Sequence, residues 1–166
     1  MSLYYDCLLI EECELVVLIS EQGLRYLGVG MPEMTKVNPK REQVKLNQQK
    51  VAPYILQIRR YLIGELRQFE LPLDISLVGT EFQQRVWQAL RRIPYGCHLT
   101  YEEIAIMINR PKSIRAVGTA IGKNPVLLQI PCHRVIRKDG TLGGYSGGLN
   151  LKKRVLDLEE ISYKDI

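Results

Sequence analysis

Short apolar blocks fill the first thirty positions, and their spacing is that of β-strands. Glu14 to Ser20 and Leu24 to Val29 are β-rich runs, and the loop between them, Glu21, Gln22 and Gly23, suits a hairpin. Leu3 to Ile10 predicts a further strand. Residues 31 to 45 are polar and carry Pro32 and Pro39, which predicts a loop. From Gln49 to Glu65 the apolar positions Val51, Tyr54, Ile55, Ile58 and Leu62 recur at helical spacing, so a helix is expected to cover the sheet. Leu71 to Ile75 reads as a strand or a linker. At Val78, Gly79 and Thr80 the pattern turns helical, dividing a β-rich part, 1–79, from a helical part, 80–166.

The second part carries sharp helix-start signals. Thr80 with Gln83, and Thr100 with Glu103, fit the capping box, in which a threonine hydroxyl and a Glu or Gln three residues on satisfy orphan backbone N–H groups. The first box predicts a helix from Glu81 to Arg92 with Phe82, Val86, Trp87 and Leu90 on one face. The second predicts Tyr101 to Ile108. After the turn at Asn109 to Lys112, Ser113 is expected to cap a third helix that ends near Gly122. Helix, short turn, basic helix is the helix-turn-helix pattern. The third helix interleaves Ala116, Gly118, Thr119, Ala120 and Gly122 with Arg115, Val117 and Ile121. Each helical Gly costs about 1 kcal/mol relative to Ala, so close approach to a neighbour must compensate. Another core helix or a narrow DNA groove would serve, and the surroundings favour the groove.

Charge supplies that preference. Residues 1–79 hold 9 basic and 10 acidic side chains, whereas residues 80–166 hold 14 basic and 8 acidic. From Ile104 to Lys138 there are seven Lys or Arg and no Asp or Glu. This is the footprint of a polyanion partner, with a solvated basic face as the alternative. Abundant Leu, Ile and Val and modest Gly and Pro content exclude a collagenous or unfolded chain. No run of apolar residues is long enough for a membrane span, and Met1 to Asp6 lacks the features of a signal peptide, so a cytoplasmic, non-membrane protein is expected.

The four cysteines, Cys7, Cys13, Cys97 and Cys132, match no zinc spacing, so no metal is expected. Cys7 and Cys13 are expected to be buried and inert, and Cys97 to be packed. Cys132 differs. An apolar strand is predicted over Val126 to Ile130, and Pro131, Cys132, His133, Arg134 and Val135 follow. A cysteine behind a proline at a strand end, beside His and in a cationic setting, is where a low-pKa nucleophile can be built. The glycine-rich run Gly143 to Gly148 downstream suits backbone approach to a ligand.

From Thr100 to Glu159 the chain resembles the catalytic domain of the O6-alkylguanine-DNA alkyltransferases, the methylated-DNA–protein-cysteine methyltransferases. Residues Pro131 to Val135 match the family's nucleophile motif, and Tyr101, Arg115, Asn124, Tyr145 to Gly148 and Glu159 join it at the family's spacings. Over residues 1–79 the likeness rests on element order, and the zinc ligands of some members are missing. The resemblance implies an α/β (α+β) fold: an N-terminal, ribonuclease-H-like domain with a small antiparallel sheet and covering helix, 1–79. A C-terminal DNA-binding and alkyl-transfer domain, 80–166, carries the helix-turn-helix and a short active-site strand.

The resemblance further implies that Cys132 attacks the carbon attached to guanine O6, in line with the departing oxygen. A water lies between Cys132 and His133, and Glu159 orients His133. Side-chain alternation along a strand agrees that Cys132 and His133 do not touch directly. Tyr101 hydrogen-bonds guanine N3, Ser146 and the Tyr145 N–H serve O6, and the carbonyls of Cys132 and Val135 face the exocyclic amine. Arg115 fills the stack vacated by a flipped nucleotide. Lys112, Ser113, Ala116, Gly118, Thr119 and Ala120 meet the minor groove, and Asn124 ties the helices to the active-site turn. Tyr101 as a core aromatic, Ser146 as a loop residue and Asn124 as a helix end are the plainer readings.

A thioether product is not released, so one protein repairs one lesion, without a cofactor, as a monomer on double-stranded DNA containing O6-alkylguanine. O4-alkylthymine is a further candidate substrate. A non-repairing, lesion-binding relative would lack the nucleophile that Cys132 supplies. A helix-turn-helix regulator would want long polar side chains where this helix has Ala and Gly, and a Cys–His hydrolase normally places its His far from the Cys.

Overall fold

A computed structural model describes residues 1–165. The chain forms two compact units, Met1–Gly79 and the remainder from Thr80. In the first, β1 (Ser2–Ile10) and β2 (Cys13–Ile19) pair antiparallel with Tyr4 opposite Ile19, and β3 (Leu24–Val29) pairs antiparallel with β2. Ser20 and Gly23 close the hairpin by exchanging backbone hydrogen bonds of 2.8 and 3.3 Å.

The stretch expected to be a loop over 31–45 contains two elements. A single turn of helix, α1 (Met34–Val37), precedes β4 (Gln43–Leu46), which joins the other edge of the sheet parallel to β1. The sheet, in the order β3-β2-β1-β4, is therefore dominated by antiparallel pairs without being wholly antiparallel. Met34, Val37 and Val44 of this stretch join the cluster built on Leu3 and Leu18, too few apolar positions to produce a readable period. The covering helix, α2 (Gln48–Leu62), is capped by Asn47, whose side chain accepts from the Lys50 N–H at 2.9 Å. It buries Val51, Ile58, Tyr61 and Leu62.

Leu71 to Ile75 is a linker with one bridge, Leu73 to Leu24. Leu24 N–H donates to the Pro72 carbonyl and Asp74 N–H to the Leu24 carbonyl, each at 2.9 Å. Arg25, buried, pairs with Asp74 at 2.6 Å. Contrary to the sequence reading, Cys7 is exposed and Cys13 only half-buried. Leu8 is buried between exposed Cys7 and Leu9, so alternation around Leu8 leaves Cys7 on the outer face.

In the second unit both capping boxes form. Thr80 caps α3 (Glu81–Leu90) with Gln83 in return, and Thr100 caps α4 (Tyr101–Met107) with Glu103 in return. Ser113 stands at the N-cap of α5 (Ile114–Gly122), but its hydroxyl makes no capping bond. Its φ and ψ, −102° and 32°, lie outside the extended range that aims a capping side chain, because its N–H closes the preceding turn onto the Arg110 carbonyl at 2.9 Å. Trp87 Nε1–H donates to the Ala120 carbonyl at 2.9 Å, tying α3 to α5 inside a core of Val86, Leu90, Ile104, Ala105 and Val117. A two-residue parallel pair, β5 (Leu99–Thr100) with β6 (Val135–Ile136), and α6 (Leu149–Leu158) complete the unit.

The strand expected over Val126 to Ile130 is absent. Residues 127–129 form turns, with Leu128 at φ +70° and Gln129 half-buried, and residues Cys132–Arg134 form a single 3-10 turn. Asn124 explains the change: Oδ1 accepts from the Val126 N–H at 2.9 Å and Nδ2 donates to the Ile130 carbonyl at 2.8 Å. The backbone is satisfied locally, so an apolar run needs no sheet partner. Among the described residues no helix is long and apolar enough to cross a membrane.

Candidate active site

The Asn124 staple delivers Cys132. Cys132 N–H donates to the Ile130 carbonyl at 2.7 Å, and the side chain is 3% exposed. Burial pushes its thiol from the ordinary 9.0 up to about 11, against smaller opposing pulls from the Asn124 side chain and the Lys152 charge. The expectation of a low-pKa nucleophile is thus corrected: the resting group is a protonated thiol, because the site excludes water more effectively than its cations compensate. The alternation argument also changes. Cys132 and His133 occupy a 3-10 turn, in which successive side chains diverge by about 120°, so their separation does not come from a strand.

A labelling order follows. Two pH units represent roughly a hundredfold less thiolate at neutral pH. Iodoacetamide on the native protein, mapped by peptide mass, is expected to modify Cys97 and Cys7 first, Cys13 next and Cys132 last. Cys132 labelling with Cys97 would overturn the buried-thiol assignment. Cys97, expected to be packed, is exposed. Its N–H closes a turn onto the Pro94 carbonyl at 3.1 Å, with Gly96 at φ +80°, and that turn directs Cys97 outward.

His133 is fully buried, and its Nε2 lies 2.7 Å from Glu159 Oε2. Glu159 Oε1 accepts from Arg134 Nε at 2.7 Å and from the Gly96 N–H at 3.1 Å, and Oε2 also accepts from Arg134 Nη2 at 3.0 Å. A carboxylate that already accepts three N–H groups requires a fourth donor at its last contact. This places the His133 proton on Nε2 and leaves Nδ1 as the basic nitrogen. Burial lowers the proton affinity of His133 below the ordinary value. Glu159 raises it, and Arg134 and Lys152 lower it further.

Lys152, on α6, is a site residue that the sequence reading missed. Its side chain is completely buried, and Nζ donates to the Val135 carbonyl at 2.9 Å and to the Gly144 carbonyl at 3.5 Å. Desolvation lowers it to about 8, although the nearby Cys132 sulfur favours its charged form. Val135 O therefore already accepts one hydrogen bond, and Cys132 O accepts the Val135 N–H. Each carbonyl has a second lone pair for a ligand. A basic residue followed by two more, Lys153 and Arg154, reads as surface, so nothing local marks Lys152 as buried.

Tyr101 is half-buried at the start of α4. Burial first and the Cys132 sulfur second push its phenol up, so it stays a donor at neutral pH. Its hydroxyl abuts Gly143, where a Cβ would collide with it, and Gly118 of α5 faces the Tyr101 ring. Gly118 thus faces inward, away from the outer surface expected for it. Tyr145 is half-buried and Ser146 exposed on the same loop.

On the outer side of α5, a groove of about 640 Å³ is lined by Lys112, Ser113, Arg115, Ala116, Thr119 and Ala120, together with Thr80, Phe82 and Gln83 from the start of α3. Lys112, Arg115, Ala116 and Thr119 are exposed. The α3 contribution was not anticipated, since Phe82 and Gln83 are accounted for locally by the helix pattern and the capping box.

Residues 81–161 match the family described as 6-O-methylguanine DNA methyltransferase, DNA binding domain. Over 165 residues the chain is 40% identical to the inducible methylated-DNA–protein-cysteine methyltransferase of Bacillus subtilis, covering 96% of this chain and 91% of that relative. It is 51% identical over 111 residues to the methylated-DNA–protein-cysteine methyltransferase of Haemophilus influenzae, covering 66% of this chain and 61% of the relative. The crystal structure of Mycobacterium tuberculosis OGT in complex with DNA superposes with a TM-score of 0.83 at 37% identity, covering 95% of this chain and 93% of that one.

Proposed function

The chain belongs to the methylated-DNA–protein-cysteine methyltransferase family, and from that premise we propose that it repairs duplex DNA by taking the alkyl group of O6-alkylguanine onto Cys132. The observation that carries this reading is a buried thiol followed in the chain by a buried histidine whose Nε2–H is committed to Glu159, leaving Nδ1 to accept a proton. As the Sγ–C bond forms, the C–O6 bond breaks. The thiol proton passes through a water to His133 and returns through solvent to the departing guanine.

Arg115, exposed on the first turn of α5, occupies the gap left by the flipped nucleotide. Lys112, Ser113, Ala116, Thr119 and Ala120 form the groove wall against the minor groove, and no carboxylate lines it to repel phosphate. Tyr101 donates to guanine N3. Ser146 and the Tyr145 N–H take O6, and the free lone pairs of Cys132 O and Val135 O receive the exocyclic amine. A protonated resting thiol suits a protein used once, since the acceptor is held unreactive until a lesion fills the pocket. The units 1–79 and 80–166 act as separate domains, the second carrying both DNA contact and chemistry.

Intact-protein mass spectrometry after incubation with a duplex carrying one O6-methylguanine tests the proposal. The expected result is a stoichiometric gain of one methylene mass, mapped to Cys132. An unchanged mass beside lesion-selective binding would replace repair with recognition alone.

A further inference from the structure

Arg134 lies beside the reacting residues without touching the thiol, and its geometry bears on how His133 works. Glu159 follows the last turn of α6, where the helix dipole disfavours a negative charge, and its side chain is completely buried. Arg134 takes both Glu159 oxygens side-on at 2.7 and 3.0 Å, the fork geometry that suits guanidinium and carboxylate. Its remaining nitrogen, Nη1, donates to the Ile93 carbonyl at 2.6 Å, and the Tyr95 ring lies 5.6 Å from its centre. These contacts fix the guanidinium, and His133 shares Oε2 with a permanent cation.

We propose that Arg134 is a positioning residue of the transfer reaction: it holds both Glu159 oxygens and neutralises them, so that His133 meets a compensated carboxylate and stays available as a proton acceptor. A histidine beside an uncompensated buried carboxylate would instead form an ion pair with it, and an imidazolium cannot take the Cys132 proton. The charged and titratable groups around His133 are few. Arg134 and Cys132 share its turn, Glu159 and Lys152 come from α6, and Tyr95 from the turn after α3 reaches it only through Arg134. Of the two cations, Arg134 pairs with Glu159, whereas Lys152 donates to the Val135 carbonyl. Removing the Arg134 charge leaves the Glu159 carboxylate against His133 without the guanidinium, and that pair takes up a proton at higher pH.

This role presupposes alkyl transfer to Cys132, so the test has one arm independent of it. Arg134→Gln and Arg134→Lys are compared with the native chain, and Arg134→Met, which keeps the stem packing, is the second neutral variant if the first does not fold. The Cε1–H resonance of His133 is followed against pH, and exposed His98, the only other histidine, is the internal control. The single-turnover rate of mass gain on an O6-methylguanine duplex is measured over the same range. The neutral variants are expected to move both the His133 midpoint and the acid limb of the rate upward by about one pH unit or more. Arg134→Lys, which keeps the charge and loses the fork, is expected to leave both near native while lowering the plateau. An unmoved midpoint in the neutral variants, or an equal shift in Arg134→Lys, would overturn the charge role. Absence of mass gain in the native protein would remove the alkyl-transfer reading while leaving the histidine titration to stand alone.

Discussion

Cys132→Ala is expected to abolish alkyl uptake completely while leaving binding to a lesion-bearing duplex intact. A hydrolase stripped of its nucleophile keeps residual catalysis, because the rest of the site still stabilises a transition state. In the proposed reaction the thiol is the acceptor, and without it no product can form. The cost to the fold is small. The change deletes one buried sulfur, comparable to one methyl group and about 1 kcal/mol, and Asn124 keeps its bonds to Val126 and Ile130. Lys112, in the turn before α5, and Arg115, Ala116 and Thr119 on α5 line the outer groove and do not depend on the sulfur. The measurement pairs intact mass with fluorescence anisotropy on the same duplex. A mass gain in the variant, on Cys97 for example, would show that the acceptor is misassigned.

Glu159→Gln is expected to cost both stability and transfer. The carboxylate accepts from His133, from Arg134 twice and from the Gly96 N–H, all at 3.1 Å or less. The amide retains one acceptor oxygen and points an NH₂ at donors, leaving the Arg134 charge buried without its counter-ion. Breaking such a pair from one side costs about 3–5 kcal/mol, a large share of the roughly 5–15 kcal/mol that holds a domain together. Urea unfolding is expected to show the loss as a lower midpoint, and single-turnover mass gain to slow as His133 loses its orienting partner. The double variant Glu159→Gln/Arg134→Met is expected to be more stable than Glu159→Gln alone, since it removes the stranded charge. Equal or lower stability in the double variant would assign the Glu159 contribution to packing.

Much of this molecule is legible along the chain because its signals act over three or four residues. Thr80 with Gln83 and Thr100 with Glu103 set two helix starts through bonds that each box contains within itself. The β2–β3 hairpin follows from two β-rich runs and a loop ending in Gly23, and α2 from a 3.6-residue period that Asn47 starts. The run from Pro131 to Val135, with its companions at family spacings, identified the family and is the basis for proposing Cys132 as its nucleophile. Reading failed where a residue's surroundings come from elsewhere in the chain. Val126 to Ile130 has the composition of a strand but is held at both ends by the Asn124 side chain, and β4 exists because the edge of β1 lies open to it.

The chemical state of the site belongs wholly to the tertiary structure. Glu159 stands 25 residues beyond Arg134, and no local pattern says that the two meet, or that Lys152 between them is buried while Lys153 pairs near the surface with Asp165. Sequence alone determined which groups are present and which short elements carry them, because caps, turns and periodicity are short-range. Only the fold decided which of those groups lose water and which charges compensate them. Desolvation and Coulomb energy depend on distance through space, and it is these that keep Cys132 a protonated thiol and hold the proton affinity of His133 below its ordinary value.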